Sequence, residues 1–149
     1  MKNFNIRAYG ILLNKNNEVL ITDEFRYDKE ITKFPGGGLI WGESTIDCIK
    51  REFMEELGIE IEIVKHFYTT DFFQESAFNK EHQIISIYYL VKNTTDINIK
   101  FSILPFDFEK KEGAQSFRWI PIKKIEEKDF TFPIDKKVGG MLKDYSKSL

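Results

Sequence analysis

The sequence predicts a mixed α/β (α+β) fold in a single domain, and three observations lead to this prediction. The chain has 149 residues, the length of one ordinary domain with one substantial core. Apolar runs rich in strand formers occur at residues 4–13, 18–23, 31–34, 59–67, 84–91 and 116–122. Helical patterns occur at residues 45–57 and 134–145. We therefore expect residues 1–149 to form one domain in which strands and two helices share a core.

The composition excludes several classes of protein. With 22 basic and 24 acidic residues the net charge is -2, which gives no overall electrostatic case for a nucleic-acid or membrane surface. The single cysteine cannot form an intramolecular disulfide. No apolar run of about 18 residues and no secretory leader occurs. We expect a cytoplasmic protein that binds neither nucleic acid nor a membrane.

The first two strands and the segment after them have simple expected roles. Residues 14–17, Asn-Lys-Asn-Asn, form a turn cluster, so the strands on either side are expected to pair as a hairpin. Residues 24–30 are charged and aromatic, which favours a loop that carries Arg26. Residues 31–34 then form a short strand that leads into the glycines.

A glycine-rich turn and a helix come next. Pro35 precedes three glycines, which permit positive φ angles and a close approach of the backbone to a ligand. Ser44 is placed to cap a helix with Asp47 as its capping-box partner, and Gly58 ends the helix. One arc of roughly 80° on this helix is a core-facing stripe, formed by Ile46, Ile49, Phe53 and Leu57.

Three carboxylates, Glu52, Glu55 and Glu56, lie on a different arc of the same helix. Like charges at this spacing destabilise a helix by a few tenths of a kcal/mol each, roughly, unless a positive charge lies among them. The cluster therefore indicates a site for a hard cation such as Mg2+ or Mn2+, which prefers oxygen ligands. Cys48 has no base placed near it by the sequence, so we expect a small packing residue rather than a catalytic thiol.

The spacing of these residues resembles the Nudix box, Gx5Ex7REUxEExGU, in which U is a bulky apolar residue. Gly37 is followed after five residues by Glu43, and after seven more by the run Arg51-Glu52-Phe53-Met54-Glu55-Glu56-Leu57-Gly58-Ile59. Every fixed position of the box, residues 37–59, is filled. The resemblance implies an α/β/α sandwich with a mixed, mainly antiparallel sheet.

The resemblance also implies a reaction and a set of functional residues. The reaction is hydrolysis of the pyrophosphate bond in a nucleoside diphosphate linked to another moiety, with Mg2+ or Mn2+ as cofactor. The metal ligands would be the carbonyl of Gly36 and the carboxylates of Glu52, Glu55 and Glu56, with Glu52 as ligand or base. Arg51 would orient the catalytic carboxylates, and Glu43 would hold the loop against the helix.

Residues outside the box are expected to select the substrate. Arg26 is a candidate phosphate contact or a solvated loop residue, and Trp41 a substrate contact, a dimer contact or a packing residue. Phe72 and Phe73 lie in an aromatic loop at residues 68–83. The family commonly adds one carboxylate from a loop outside the box. The first candidates for it are Glu109 and Glu112, and the second candidates are Glu75 and Glu81.

Two functions from different classes fit the sequence. The first is an active pyrophosphohydrolase whose substrate is ADP-ribose, a nucleotide sugar or a nucleoside triphosphate. The second is a Nudix-fold nucleotide sensor without catalysis, which is disfavoured because such proteins usually have a degraded box or an added DNA-binding domain. Homodimers are common in the family, so a homodimer is compatible with the sequence.

Overall fold

The computed structural model describes residues 1–149, with seven strands and two α-helices. The helices are α1 (Thr45–Leu57) and α2 (Pro133–Tyr145). The strands are β1 (Asn3–Leu12), β2 (Glu18–Arg26), β3 (Lys29–Lys33), β4 (Gly36–Gly38), β5 (Ile61–Thr69), β6 (His82–Asn93) and β7 (Gln115–Pro121). Neither α-helix has the length and apolar character needed to span a membrane. The mixture of strands and helices confirms the predicted fold class.

The chain divides into two compact units. The first comprises Met1–Leu12 and Pro35–Asn98, and the second comprises Leu13–Phe34 and Ile99–Leu149. All of the Nudix-box residues lie in the first unit.

The first unit contains a four-stranded sheet in the order β4-β1-β6-β5. Strands β1 and β6 are parallel, and the other neighbours are antiparallel. Helix α1 packs closely on β1, because a Cβ added to Gly10 would lie only 2.6 Å from the Phe53 ring and 3.2 Å from Ile49. Its buried residues are Cys48, Ile49, Phe53 and Leu57.

The second unit contains an antiparallel sheet in the order β3-β2-β7, together with α2. Asp23 on β2 is fully buried, and it accepts hydrogen bonds from Arg118 and from the Thr32 hydroxyl. Phe34 and Phe130 stack with ring centroids 4.6 Å apart. Buried ion pairs and aromatic packing thus hold this unit together.

The predicted hairpin of the first two strands is wrong. β1 pairs with β4 and β6, whereas β2 pairs with β3 and β7. The turn at residues 14–17 is present, but the chain is joined across it only locally, by the isolated bridge between Leu13 and Val19 and by hydrogen bonds between Asn14 and Glu18. A turn signal reverses the chain without specifying which strand edges pair, and here the two strands join different sheets.

The predicted loop at residues 24–30 is also wrong, because β2 continues through Arg26 and turns directly into β3. Tyr27 and Asp28 form the turn with φ of 52° and 60°, the sign that tight hairpins require. Of the charged residues that favoured a loop, Glu24 is buried and pairs with Lys33 at 3.1 Å, whereas the others are exposed along the hairpin. A buried charge is tolerated in a strand when it is paired.

One residue of the predicted core stripe on α1 is misplaced. Ile46 is 37% exposed, whereas Cys48 is fully buried, as expected for a packing residue. The buried face of the helix is therefore rotated from the predicted arc toward the side that carries Glu52 and Glu56. This rotation brings the carboxylate side of the helix closer to the sheet.

Candidate active site

Both ends of α1 are defined by the residues that the sequence predicts. The Ser44 hydroxyl accepts a hydrogen bond from the Asp47 backbone N–H at 3.0 Å, which caps the first turn. Gly58 adopts the left-handed conformation with φ of 66°, and its N–H donates to the Met54 carbonyl at 3.0 Å. These caps fix the position of every box carboxylate along the helix.

Arg51 is the centre of the site. Its Nε and Nη2 donate to the two carboxylate oxygens of Glu43 at 3.0 and 2.8 Å, a bidentate pair. Its Nη1 donates to Glu52 Oε1 at 3.1 Å and to Glu55 Oε2 at 3.3 Å. Its Nη2 also donates to the Gly38 carbonyl at 3.2 Å. One guanidinium thus connects the glycine strand, the loop and two of the three carboxylates.

Glu43 is held in its charged form by its neighbours. The hydrogen bonds from Arg51, and next from the Ile40 backbone N–H at 2.9 Å, lower the pKa of Glu43 from 4.5 to about 2. The same contact with Glu43 raises the pKa of Arg51 further above its usual range. The pair is therefore fully ionised at neutral pH.

This lowered pKa predicts a pH dependence of stability that is specific to Glu43. Because the pKa of Glu43 is lower in the folded chain, its charge stabilises the fold fully above pH 4.5, and this contribution is lost as pH falls through about 2. We expect the free energy of unfolding of Glu43→Gln to lie below that of wild type at pH 7, with a difference that shrinks between pH 4.5 and pH 2. Denaturant titrations across this range measure it, and a difference that stays constant would contradict the prediction.

The carboxylate of Glu52 lies directly against the glycine strand β4. A Cβ added to Gly37 would be 2.6 Å from Glu52 Oε1 and 2.8 Å from its carboxyl carbon. Only glycine leaves room for Glu52 in this position. The neighbouring Gly36 has φ of 145°, a conformation that L residues rarely adopt.

Cys48 fills the space between the helix and β4. Its thiol lies 3.5 Å from the Gly38 carbonyl and 3.7 Å from the Gly37 carbonyl. Burial, and next the charge of Glu43, raise the pKa of Cys48 to about 11. The thiol is therefore protonated at neutral pH and is not a nucleophile.

The remaining carboxylates of the helix differ in exposure. Glu55 is exposed, whereas Glu56 is half-buried. No three His, Cys, Asp or Glu side chains in residues 1–149 lie together as a group that could hold a metal ion. The metal-ligand roles of Gly36, Glu52, Glu55 and Glu56 stay a prediction.

The predicted substrate contacts of the first unit are exposed aromatic residues. Trp41 is 100% exposed in the loop before α1. Phe73 is 70% exposed, and it follows Phe72 in the loop after β5. All three side chains can be reached by a ligand, and their role in substrate binding stays a prediction.

The predicted site residues of the second unit lie on β2 and in the long segment before β7. The Arg26 side chain is 56% exposed, and its Nε lies 3.1 Å from Glu24 Oε1. Glu112 accepts a hydrogen bond from the Tyr27 backbone N–H at 2.9 Å, and Glu109 is exposed. Glu112 is thus tied to the β2–β3 turn.

A basic residue beside the glycine strand was missed at the sequence level. Arg7 on β1 is the partner of Gly38 on β4. The sequence shows a single arginine within an otherwise mostly apolar strand, and this pattern is equally compatible with a solvent-exposed residue that has no role in the site.

The fold and the site together define a hydrolase of the kind that carries a Nudix box. The NUDIX domain family model matches residues 4–138, and the chain belongs to this family. It is therefore classed with the Nudix hydrolases, as the box predicted.

Solved structures agree with this assignment at the level of the fold. The MutT protein from Methanosarcina mazei Go1 superimposes with a TM-score of 0.69 at 20% identity, covering 98% of this chain and 97% of that one. A NUDIX hydrolase from Nitrosomonas europaea gives 0.67 at 18% identity, covering 98% and 90%. An ADP-ribose pyrophosphatase from Streptococcus suis 89-1591 gives 0.57 at 13% identity, covering 93% and 86%. No curated protein matches the chain in sequence.

Proposed function

We propose that the chain hydrolyses the pyrophosphate bond of a nucleoside diphosphate linked to another moiety, with Mg2+ or Mn2+ as cofactor. The observation that carries this proposal is the contact set of Arg51, which joins Glu43, Glu52, Glu55 and the Gly38 carbonyl. A solvated acidic helix face would need neither a bidentate arginine nor a glycine that leaves room for one carboxylate.

The residues present fit a divalent cation by the chemistry of their donor atoms. Carboxylates at positions 52, 55 and 56 and a backbone carbonyl at Gly36 supply only oxygen, which hard cations prefer. Glu52 lies against Gly37, the residue next to that carbonyl. The proximity of Glu52 to this part of β4 supports a shared ion, and the placement of Glu55 and Glu56 around it is part of the proposal.

We propose a role for each side chain of the box that the arrangement supports. A bound divalent ion offsets the negative charge of a diphosphate and increases the acidity of water. Glu55 and Glu56 are proposed as the principal ligands, and Glu52 as a ligand or as the base that accepts the proton of the attacking water. Arg51 holds Glu52 and Glu55 in position, and Glu43 holds Arg51.

The substrate is proposed to be of the ADP-ribose or nucleotide-sugar type rather than a nucleoside triphosphate. The exposed aromatic surface of Phe72 and Phe73 supports a nucleotide substrate of any of these kinds, because aromatic rings stack on nucleobases. Arg26 is proposed as a phosphate contact. Glu109 and Glu112 are the candidates for one further carboxylate, and Trp41 for a substrate or homodimer contact.

We also propose that residues 1–149 act as a single Nudix domain. The support is the family match at residues 4–138, which includes segments of both compact units. A single cooperative unfolding transition, seen equally by fluorescence and by circular dichroism, is expected. Two separate transitions would contradict it.

A substrate panel tests the proposed reaction. ADP-ribose, nucleotide sugars and nucleoside triphosphates are incubated with the protein and Mg2+, and release of nucleoside monophosphate is measured. We expect turnover of at least one compound that is lost on chelation of the metal. Binding of these compounds without turnover would contradict the enzyme and support a nucleotide sensor.

A further inference from the structure

Strand β4 is a three-residue end strand with different chemistry on its two faces. In an antiparallel pair, facing residues point to the same side of the sheet, and successive residues alternate. Ala8 faces Gly37, and the carboxylate of Glu52 lies on that side. Arg7 and Tyr9, which face Gly38 and Gly36, therefore lie on the opposite side.

The guanidinium of Arg7 lies beside Gly38, the last residue of the glycine strand. A Cβ added to Gly38 would lie 3.6 Å from Arg7 Nη1, so the guanidinium occupies the space directly beside this glycine. Carboxylates of α1 and an arginine of β1 thus border the two faces of one strand. This strand also carries the Gly36 carbonyl.

The position of Arg7 is fixed by a row of tyrosines. Arg7 Nε donates to the Tyr9 hydroxyl at 2.5 Å, and its guanidinium carbon lies 5.7 Å from the centre of the Tyr9 ring. The Tyr9 ring stacks on Tyr88, with ring centroids 5.2 Å apart, and both side chains are buried. These contacts with Tyr9 hold the guanidinium in a defined orientation.

We propose that Arg7 is a substrate-binding residue whose guanidinium binds a phosphate oxygen of the diphosphate chain. The inference rests on the proposed function, because it assumes that the diphosphate lies at β4. A diphosphate held there through the carboxylate face extends past the end strand and meets the arginine on the other face. A guanidinium suits this task because its planar donors match phosphate oxygens in pairs.

This role differs from that of Arg51. Arg51 is committed to Glu43, Glu52, Glu55 and the Gly38 carbonyl, and so it organises the site. Arg7 is half-buried on the other face of β4, where Tyr9 contacts its guanidinium. Loss of Arg7 should therefore weaken ligand binding and leave the carboxylates in place.

The test measures binding and kinetics of Arg7→Gln, Arg7→Lys and wild type. Lys92→Gln is the matched control, since it removes one positive charge from an exposed position on β6 whose nearest acidic partner is Glu62. Inorganic pyrophosphate with Mg2+ is titrated by calorimetry, Mn2+ binding is measured separately, and KM and kcat are measured on whichever compound is turned over.

We expect Arg7→Gln to weaken pyrophosphate binding and to raise KM by about 10-fold to 100-fold, the loss that follows removal of a hydrogen bond to a charged group. The kcat and the Mn2+ affinity should stay near those of wild type. Arg7→Lys should restore part of the binding, because it keeps the charge and loses the planar fork. Lys92→Gln should match wild type.

The outcomes separate this inference from the proposed function. Pyrophosphate binding that depends on Arg7 in a protein without turnover would reject the proposed function and keep the inference. Unchanged pyrophosphate binding in Arg7→Gln would overturn the inference, whether or not nucleotide binding weakens. If Arg7→Gln lowers the melting temperature, the Arg7→Lys variant is used to test the inference in its place. A pyrophosphate affinity and a KM equal to those of wild type in Arg7→Lys would then overturn the inference.

Discussion

Replacing Glu56 or Glu55 by glutamine is expected to lower kcat/KM with Mg2+ by roughly 100-fold or more. A bound metal ion contributes several kcal/mol of transition-state stabilisation, and each 1.36 kcal/mol corresponds to a factor of about ten. Glutamine has the size of glutamate and lacks its charge, so it is a poor metal ligand in the same space. Steady-state kinetics at saturating Mg2+ measure the effect.

The fold should survive these substitutions. Glu55 is exposed, and its contact with Arg51 Nη1 at 3.3 Å is a surface ion pair, a type that contributes about 0–1 kcal/mol. Glu62→Gln is the control, because Glu62 is an exposed carboxylate on β5 outside the box. Glu62→Gln should keep full activity on the true substrate. If Glu55→Gln and Glu56→Gln keep full activity as well, the assignment of the metal site is wrong.

The same assay separates the two roles proposed for Glu52. Glu52→Gln should also be strongly impaired. A loss of metal affinity together with rate identifies a ligand, whereas a loss of rate at unchanged metal affinity identifies the base.

Replacing Gly37 by alanine is expected to lower kcat/KM by up to about 100-fold with little change in stability. The new Cβ would lie 2.6 Å from Glu52 Oε1, so the carboxylate must move. Displacement of a flexible side-chain end requires little free energy, but a shift of about 1 Å in a catalytic group can reduce the rate about 100-fold. Kinetics and thermal unfolding are measured on the same preparation.

Gly38→Ala is the matched substitution on the same strand. Its Cβ would meet Arg7 Nη1 at 3.6 Å, an ordinary van der Waals contact, so this variant should keep most of its activity. Equal losses in the two variants would mean that the strand backbone, and not the position of Glu52, explains the effect. An active Gly37→Ala variant would mean that Glu52 does not need its present position.

Local chemistry explains why both ends of helix α1 were predictable. Ser44 and Gly58 cap α1 as expected, because a cap depends on residues within one turn of the helix end. The direct pairing of Arg51 with Glu43 was not predicted; the resemblance to the Nudix box implied only that Glu43 holds the loop against the helix and that Arg51 orients the carboxylates.

Features that depend on distant partners were not predictable. Glu24 looked like a loop residue, because the sequence does not show that Lys33 lies beside it in the folded chain. Ile46 looked like a core residue on a helical wheel, but the sheet contacts a face of α1 rotated toward Cys48. In both cases the predicted and the observed surroundings of the residue differ in which residues, distant in the sequence, lie beside it in the folded chain.

The sequence by itself determined the family, the fold class and the identity of the three helix carboxylates, because each depends on residue types at fixed local spacing. Only the tertiary structure decided that Glu52 lies against Gly37, that β1 joins β4 and β6 rather than β2, and that Arg7 lies over Gly38. Strand partners and faces are chosen by burial across the whole chain, and a one-residue shift of register would move Arg7 to the other face of the sheet. The pairing of the strands and the faces they expose therefore depend on packing of the whole core, and no single segment of the sequence determines them.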